Sequence, residues 1–209
     1  MATVRRKPLM PPPAESRIPG RPSSDDVREM VSRIVDGVMT QQAPSTSAEV
    51  PDEQEAPGGS GIAIGADHGG YPLKERLAFR LREQGHAVLD CGTDSPDAVD
   101  YPDFAHAVAS AVATGKAQWG IVVDGAGIGS AMVANKVPGV RAALCYDLST
   151  ARNSREHNHA NVLSLGAGLI GENLAWQIVQ EWLTTDWGGD RHARRAQKIT
   201  EVEKRYLKT

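Results

Sequence analysis

The sequence has very little cysteine. Only Cys91 and Cys145 occur among its 209 residues, so a framework of disulfides is excluded and a reducing compartment such as the cytoplasm is the expected setting. Each cysteine stands at the end of a predicted strand. We therefore expect two core residues rather than nucleophiles.

Long apolar runs and basic clusters are also absent from the sequence. No stretch approaches the roughly 20 apolar residues that cross a bilayer, and the basic start Arg5-Arg6-Lys7 leads into prolines instead of the apolar core of a signal peptide. The formal net charge is -3, without a basic surface for nucleic acid. Small molecules or other proteins are the expected partners, and neither a membrane nor a nucleic acid is.

Residues 1–60 differ in composition from the rest of the chain. The segments 8–22 and 41–60 are rich in Pro, Ser, Gln, Glu and Gly and are too polar to bury a core, which predicts a mostly disordered extension. Between these linkers, residues 24–41 predict one amphipathic helix that Ser24 can cap. Its apolar positions recur at helical spacing: Val27, Met30, Val31, Ile34, Val35, Val38 and Met39.

A helix this short is marginal alone, and its apolar stripe needs a cover. It either folds back on its own domain or docks into a groove of a partner. The pattern resembles the encapsulation peptides that carry enzymes into bacterial microcompartments, which are short amphipathic helices joined by Pro/Gly/Ser-rich linkers. That resemblance implies shell or cargo proteins as partners of residues 24–41. A membrane-surface helix is disfavoured because the polar face mixes Asp, Glu, Arg and Ser.

From residue 61 to residue 209, short apolar runs alternate with helical patterns. Strands are predicted at 62–65, 87–91, 119–123, 141–145 and 162–165, and helices at 72–84, 102–114, 127–136, 148–156, 171–184 and 190–206. This alternation predicts one α/β domain with a parallel sheet covered on both faces. Ligands bind such sheets at the carboxyl ends of strands. We expect Asp67-His68, the loop after Asp124 and His157-Asn158 to gather there in one crevice.

The segment from Ile121 to Ser130 predicts a buried strand that ends in Asp124 and turns through alternating glycines into a helix. Glycines allow a backbone to approach a ligand closely, and N–H groups at a helix start suit an anion or an oxyanion. The loop does not match a dinucleotide-binding fingerprint because the third glycine is missing, although Asp147 follows at the distance of a ribose-binding acid. It does not match a phosphate-binding P-loop because the required lysine is missing. A turn whose glycines serve packing alone stays open on this loop.

Several motifs in order resemble one known family, the type B ribose-5-phosphate isomerases and galactose-6-phosphate isomerases, over about residues 61–206. They are Gly65-Ala66-Asp67-His68-Gly69-Gly70, Asp100-Tyr101-Pro102, Gly127-Ile128-Gly129, Ala134-Asn135-Lys136, Arg155-Glu156-His157-Asn158, Asn161-Val162-Leu163 and Gly189-Asp190-Arg191-His192 with Arg195. The resemblance implies a three-layer sandwich around a five-stranded parallel, Rossmann-like sheet. It also implies a homodimer or dimer of dimers with shared active sites.

The same resemblance implies aldose–ketose isomerisation of a sugar phosphate through a cis-enediolate, without a metal or a cofactor, and with ribose 5-phosphate and ribulose 5-phosphate first among substrates. Such chemistry needs a base, a donor to the enediolate and an acid that opens the sugar ring. The resemblance implies that Asp67 and His68 contact the substrate, that Tyr101 lines the pocket and that Asn158 binds the substrate nearby. His157 is the implied acid for ring opening, and Arg191 and Arg195 are the implied phosphate ligands. The loop that holds the enediolate end of the substrate consists of Gly125, Ala126, Gly127, Ile128, Gly129 and Ser130. A helix-capping His157 and a solvated C-terminal face are the plainer alternatives.

The departures from the family pattern concern the base and the phosphate. Family members commonly have the catalytic cysteine where this chain has Asp124, and another branch has a catalytic glutamate where this chain has Ser130. A threonine or serine is usual at the position of Ala126, and a phosphate-binding arginine is usual at the position of Gly168. We predict that Asp124 is the base, although loop N–H groups favour its ionised form. Burial against the substrate opposes that effect.

The missing arginine leaves the substrate open. Arg152, Arg155 or Arg194 compensates for it, or the substrate differs in length or in the position of its phosphate. The alternative to an enzyme is a catalytically silent relative that binds a sugar phosphate or serves as a scaffold.

Overall fold

The structure is a computed structural model that describes residues 61–207. The predicted helix at residues 24–41 and its linkers lie outside the described residues. Between residues 61 and 207, no helix is long and apolar enough to cross a membrane.

Five parallel strands form the single sheet of the described domain. They are β1 (Ile62–Ala66), β2 (Val88–Asp90), β3 (Trp119–Asp124), β4 (Ala142–Leu144) and β5 (Val162–Gly166). Their order is β2-β1-β3-β5-β4, and the register pairs Ile64 with Ile121 and Ile121 with Leu163. The predicted five-stranded parallel sheet is confirmed.

The described domain has six helices, four of which connect consecutive strands and two of which follow β5. They are α1 (Tyr71–Glu83), α2 (Tyr101–Ala113), α3 (Ile128–Ala134), α4 (Leu148–Glu156), α5 (Glu172–Thr184) and α6 (Asp190–Tyr206). All six were predicted from helical spacing, with ends within two residues of the observed ones. Asp147, at the spacing of a ribose-binding acid, is instead the N-cap of α4, where its carboxylate accepts from Thr150 N at 2.7 Å.

Apolar side chains fill both faces of the sheet. Every residue of β1 and β5 is buried, as expected for parallel strands covered on both sides. One core joins the sheet to residues of α1, α4 and α5, including Leu77, Ala151 and Ile178. The other joins it to α2 and α3, including Val108 and Ala134. The layers are therefore helix, sheet and helix.

The two edges of the sheet carry different candidate residues. Asp67 and Gly125 directly follow β1 and β3 and lie at the carboxyl edge. The segment 157–161 precedes β5 and lies at the amino edge, where Asn161 N donates to Arg141 O and Gly120 N donates to Asn161 O. Five residues of β5, at about 3.3 Å each, separate the two edges by roughly 16 Å.

The expected gathering of His157-Asn158 with the carboxyl-edge residues is therefore wrong within one chain. In an α/β unit the helix runs antiparallel to the strands, so residues between a helix and the next strand return to the amino edge. His157 and Asn158 follow helix α4 and precede β5. The rule for ligand sites at carboxyl ends applies only to residues that follow a strand.

Candidate functional site

The turn after β3 is built around the carboxylate of Asp124. This side chain is 5% exposed. Its Oδ1 accepts from Ala126 N at 2.8 Å and from Gly127 N, and its Oδ2 accepts from Ser130 N at 3.0 Å and Ser130 Oγ at 2.5 Å. A carboxylate has about four acceptor positions. All of them are used by the loop and by the first turn of α3.

Two hydroxyl groups that the sequence analysis missed hold the carbonyls of this turn. Tyr146 Oη donates to Ala126 O at 2.7 Å, and Ser164 Oγ donates to Gly127 O at 2.6 Å. Gly127 has φ of 76°, a left-handed conformation that favours glycine. A serine within the otherwise apolar run of β5 was the available sequence signal for the second bond. Together these bonds fix the shape of the loop without a ligand.

Asp67, His68 and Tyr101 lie around the same turn. Asp67 is buried and its Oδ1 accepts from Gly70 N at 2.9 Å, at the start of α1. The ring Nδ1 of His68 is 3.2 Å from Val99 O. A Cβ on Gly129 would come within 2.6 Å of the Tyr101 ring, so only glycine permits this contact. We name Asp67, His68, Tyr101 and residues 124–130 the carboxyl-edge group.

The amino-edge group consists of His157, Asn158, Arg191 and Arg195. Its central contact is a stack of the His157 and His192 rings, whose centroids are 4.2 Å apart and whose planes differ by 4°. Arg191 Nε donates to His192 Nε2 at 3.3 Å, and Arg195 follows Arg191 by one turn of α6. Two of the motifs, which are distant in sequence, are therefore adjacent in space.

Arg155 is buried next to the amino-edge group. Its guanidinium lies 3.9 Å from the centroid of Trp119 and 5.1 Å from that of Trp182. Its Nη1 donates to Ala160 O at 2.7 Å, which ties down the segment that follows His157. Burial, followed by the charge of Arg141, lowers the pKa of Arg155 to about 10, so the group stays charged at neutral pH.

Two of the three arginines considered as substitutes for the missing cation, Arg152 and Arg155, have other contacts. Arg152 Nε forms an ion pair with Glu181 Oε1 at 2.6 Å, and Arg155 is enclosed by the two tryptophans. Arg194 is exposed on α6. A Cβ on Gly168 would lie 2.9 Å from Gly125 O. A side chain at that position therefore requires the backbone of the turn after β3 to shift.

The lowered pKa of His192 predicts that the stability of the domain depends on pH. Burial, then the charges of His157, Arg191 and Arg195, lower the pKa of His192. The unfolded chain keeps a value of about 6.5 and binds more protons than the folded chain as the pH falls through that value. We expect the free energy of unfolding, measured with urea, to decrease from about pH 7.5 to about pH 5.5.

The variant His192→Phe keeps a stacking ring without a titratable group and should reduce this decrease. His106 is exposed on α2, and His106→Phe serves as the matched control. A decrease of equal size in the wild type and in His192→Phe would show that His192 does not cause it.

Between residues 61 and 207, no group of three or more His, Cys, Asp or Glu side chains is arranged to hold a metal ion. The carboxylates at the carboxyl edge can take part in acid–base chemistry, and the amino edge contributes two arginines and an imidazole. Both cysteines are free thiols. Cys145 is fully buried, as predicted for a core residue, and burial raises the pKa of its thiol. Cys91 is only partly buried, against the core on the other face of the sheet.

Comparison with known proteins decides the family. A family model described as Ribose/Galactose Isomerase matches residues 62–199. The chain belongs to the ribose/galactose isomerase family. It is 43% identical over 144 residues to ribose-5-phosphate isomerase B of Escherichia coli (strain K12), a match that covers 69% of this chain and 97% of that protein.

Solved structures of this family have the same fold. Ribose-5-phosphate isomerase B of Clostridium thermocellum is 51% identical, with a TM-score of 0.69 and coverage of 70% of this chain and 99% of that one. The enzyme of Mycoplasma genitalium, solved with bound ribulose-5-phosphate, is 39% identical, with a TM-score of 0.68 and coverage of 70% and 98%. The family resemblance inferred from the motifs is confirmed for the isomerase domain.

Proposed function

We propose that this protein is an aldose–ketose isomerase of sugar phosphates, with ribose 5-phosphate and ribulose 5-phosphate first among its substrates. The observation that carries the proposal is the carboxyl-edge group, in which a buried carboxylate, a glycine turn and a helix start lie beside Asp67 and His68. The relative from Mycoplasma genitalium was solved with bound ribulose-5-phosphate. No metal or cofactor enters the proposed reaction.

In the proposed reaction, Asp124 removes the proton from the carbon beside the substrate carbonyl. For an aldose, the electron pair of the C2–H bond forms a double bond between C1 and C2, and the π pair of the carbonyl group moves to its oxygen, which gives a cis-enediolate. A proton passes from the C2 hydroxyl to the C1 oxygen, and the protonated Asp124 then returns its proton to C1 as the C2 oxygen becomes the carbonyl. The first N–H groups of a helix have no partner within it. Those of Ile128 and Gly129, at the start of α3, are suited to stabilise the enediolate oxygens.

Asp124 needs a free lone pair for this step. Three of its four hydrogen bonds come from backbone N–H groups of the turn. The fourth comes from the hydroxyl of Ser130, which can rotate about its Cα–Cβ bond without moving the backbone. We therefore infer that the Ser130 hydroxyl leaves Oδ2 when the substrate binds, and that Oδ2 is the atom that takes the proton.

A second copy of the chain completes the site in this proposal. The amino-edge group of one chain lies at the far edge of the sheet from its own carboxyl-edge group, so the two act together only across an interface. Large apolar side chains around the carboxyl-edge group support such an interface, since Ile128, Met132 and Leu169 are 46%, 63% and 62% exposed. A homodimer or a dimer of dimers satisfies this requirement.

The partner's amino-edge group then supplies the remaining roles. His157 donates the proton that opens the sugar ring, and Asn158 binds the substrate nearby. Arg191 and Arg195 bind the phosphate as charged donors. Because Gly168 adds no cation at the carboxyl edge, binding of the phosphate depends on these two arginines. The number of carbons in the preferred sugar then depends on their distance from the carboxyl-edge group.

An assay of the purified full chain with four- to six-carbon aldose and ketose phosphates tests the proposal. We expect turnover of a pentose phosphate in both directions. A second candidate is a catalytically silent relative that binds a sugar phosphate or acts as a scaffold, which the lack of the usual cysteine and glutamate bases favours. Thermal stabilisation by a sugar phosphate without any turnover would support that candidate and contradict the enzyme.

We further propose that residues 1–60 direct the enzyme into a bacterial microcompartment through the amphipathic helix predicted at residues 24–41. The sequence pattern is the support for this proposal: an apolar stripe between two Pro/Ser/Gly-rich linkers. The test is to fuse residues 1–60 to a fluorescent reporter in cells that make shells. Punctate fluorescence is expected, and a reporter that stays diffuse would count against the proposal.

A further inference from the structure

The side chain of Asn153 contacts two members of the amino-edge group, His157 and Asn158. It lies on α4, one turn before His157. Its Nδ2 is 2.8 Å from Nδ1 of His157. Asn158 Nδ2 lies 3.2 Å from Asn153 Oδ1 and 3.3 Å from the backbone carbonyl oxygen of Asn153. One amide thus contacts both His157 and Asn158.

The backbone carbonyl fixes the orientation of every group in this chain of contacts. A carbonyl oxygen only accepts, so Asn158 must present its NH₂ group to Asn153 O. That NH₂ group also points at the Asn153 side chain, which must therefore present its oxygen to Asn158. The remaining group of Asn153, its NH₂, donates to His157 Nδ1. The assignment of both amides follows from the network.

The network also sets the tautomer of His157. Because Nδ1 accepts a hydrogen bond, the neutral ring carries its proton on Nε2. Nε2 lies 3.6 Å from Glu156 Oε1, which is beyond hydrogen-bond distance, so this proton is available for transfer. The stack on the buried His192 fixes the plane of the ring, and Asn153 fixes which nitrogen carries the proton.

We propose that Asn153 is a positioning residue that holds His157 in the Nε2–H tautomer for opening the sugar ring. This inference rests on the proposed function. In ring opening, the proton on Nε2 moves to the ring oxygen as the bond between that oxygen and the anomeric carbon breaks. The anomeric hydroxyl releases its proton to water as it becomes the carbonyl group. Loss of the Asn153 donor affects the first transfer and leaves the enediolate chemistry of the carboxyl edge intact.

Two variants distinguish an effect on the tautomer of His157 from an effect on the fold. Asn153→Asp has nearly the same shape, but its carboxylate accepts from Nδ1–H and leaves Nε2 of the neutral ring without a proton. Asn153→Leu removes the donor and imposes neither tautomer. Ser149→Ala, on the exposed first turn of α4, is the control for substitution in this helix.

Two rates report on the two parts of the reaction. Isomerisation of ribose 5-phosphate begins from a closed ring, whereas exchange of the C1 proton of open-chain ribulose 5-phosphate into D₂O needs no ring acid. At about pH 9, above the ordinary titration range of imidazoles, we expect Asn153→Asp to slow the isomerisation about tenfold or more and Asn153→Leu by less. The exchange rate should stay near that of the wild type in both. Equal rates of isomerisation in Asn153→Asp and Asn153→Leu would overturn the inference.

Nitrogen-15 NMR of the His157 ring in the full chain gives an independent readout that does not need activity. We expect the Nε2–H tautomer in the wild type and the Nδ1–H tautomer in Asn153→Asp. A wild-type ring protonated on Nδ1 would overturn the inference whatever the rates. A wild type that shows neither isomerisation nor exchange would contradict the proposed function, and the NMR result would still decide the tautomer.

Discussion

Asp124→Ala is expected to lower turnover of a sugar phosphate by about 10²–10⁴-fold, the usual contribution of a general base. Exchange of the substrate proton beside the carbonyl with D₂O should be lost together with turnover. The reason is that Asp124 is the buried carboxylate of the glycine turn and is the base in the proposed reaction. The measurement is proton NMR of the substrate in D₂O, alongside a coupled assay of net isomerisation.

Ser130→Ala is the matched control for this prediction. It removes the hydroxyl that donates to Oδ2 but leaves the carboxylate and its three backbone donors in place. Exchange should survive in this variant. Thermal stabilisation of Asp124→Ala by a sugar phosphate would establish that the loss of exchange does not come from a lost binding site. Unimpaired exchange in Asp124→Ala would rule out Asp124 as the base.

Trp182→Ala is expected to reduce the free energy of unfolding by about 3–5 kcal/mol, the usual cost of truncating a buried tryptophan to alanine. Trp182 is 0% exposed, meets Trp119 edge to face at 5.5 Å and donates from Nε1 to Ser154 Oγ at 3.1 Å. It also covers the Arg155 guanidinium. Urea denaturation monitored by circular dichroism gives the free energy.

Two comparison variants make the stability prediction specific. Trp182→Phe keeps much of the ring but loses the Nε1 donor. We expect its free energy of unfolding to fall by about 1–3 kcal/mol because Ser154 Oγ loses its partner and the core loses volume. Phe79→Ala removes a ring that is 61% exposed and should cost no more than about 0.5 kcal/mol. A loss in Trp182→Ala as small as that in Phe79→Ala would contradict the described core.

The sequence predicted the elements of the isomerase domain well because their patterns are local. Runs such as the one around Ile121 are apolar on every residue, as strands covered on both faces must be, and the helices between them repeat at helical spacing. Asp147 shows the limit of spacing alone. Its distance from the glycine turn suits a ribose-binding acid, but its neighbours Ser149 and Thr150 make it a helix cap.

The relation between the parts of the site was not predictable from local patterns. Whether His157 lies at the amino or the carboxyl edge depends on the direction of α4 relative to the sheet, and the sequence rule considered only residues near strand ends. The Asp124 carboxylate accepts from backbone N–H groups of a turn in which Gly127 has a left-handed φ, an arrangement that no local pattern specifies. The role of Asn153 depends on a backbone carbonyl that no sequence motif specifies.

The central claim is that each active site combines the carboxyl-edge group of one chain with the amino-edge group of another. Co-expression of Asp124→Ala and His157→Ala chains with different affinity tags allows purification of the mixed dimer. Each variant alone should be nearly inactive, whereas the mixed dimer keeps one complete site of two and should regain about half of the wild-type activity. A mixed dimer as inactive as its parents would contradict a site shared between chains.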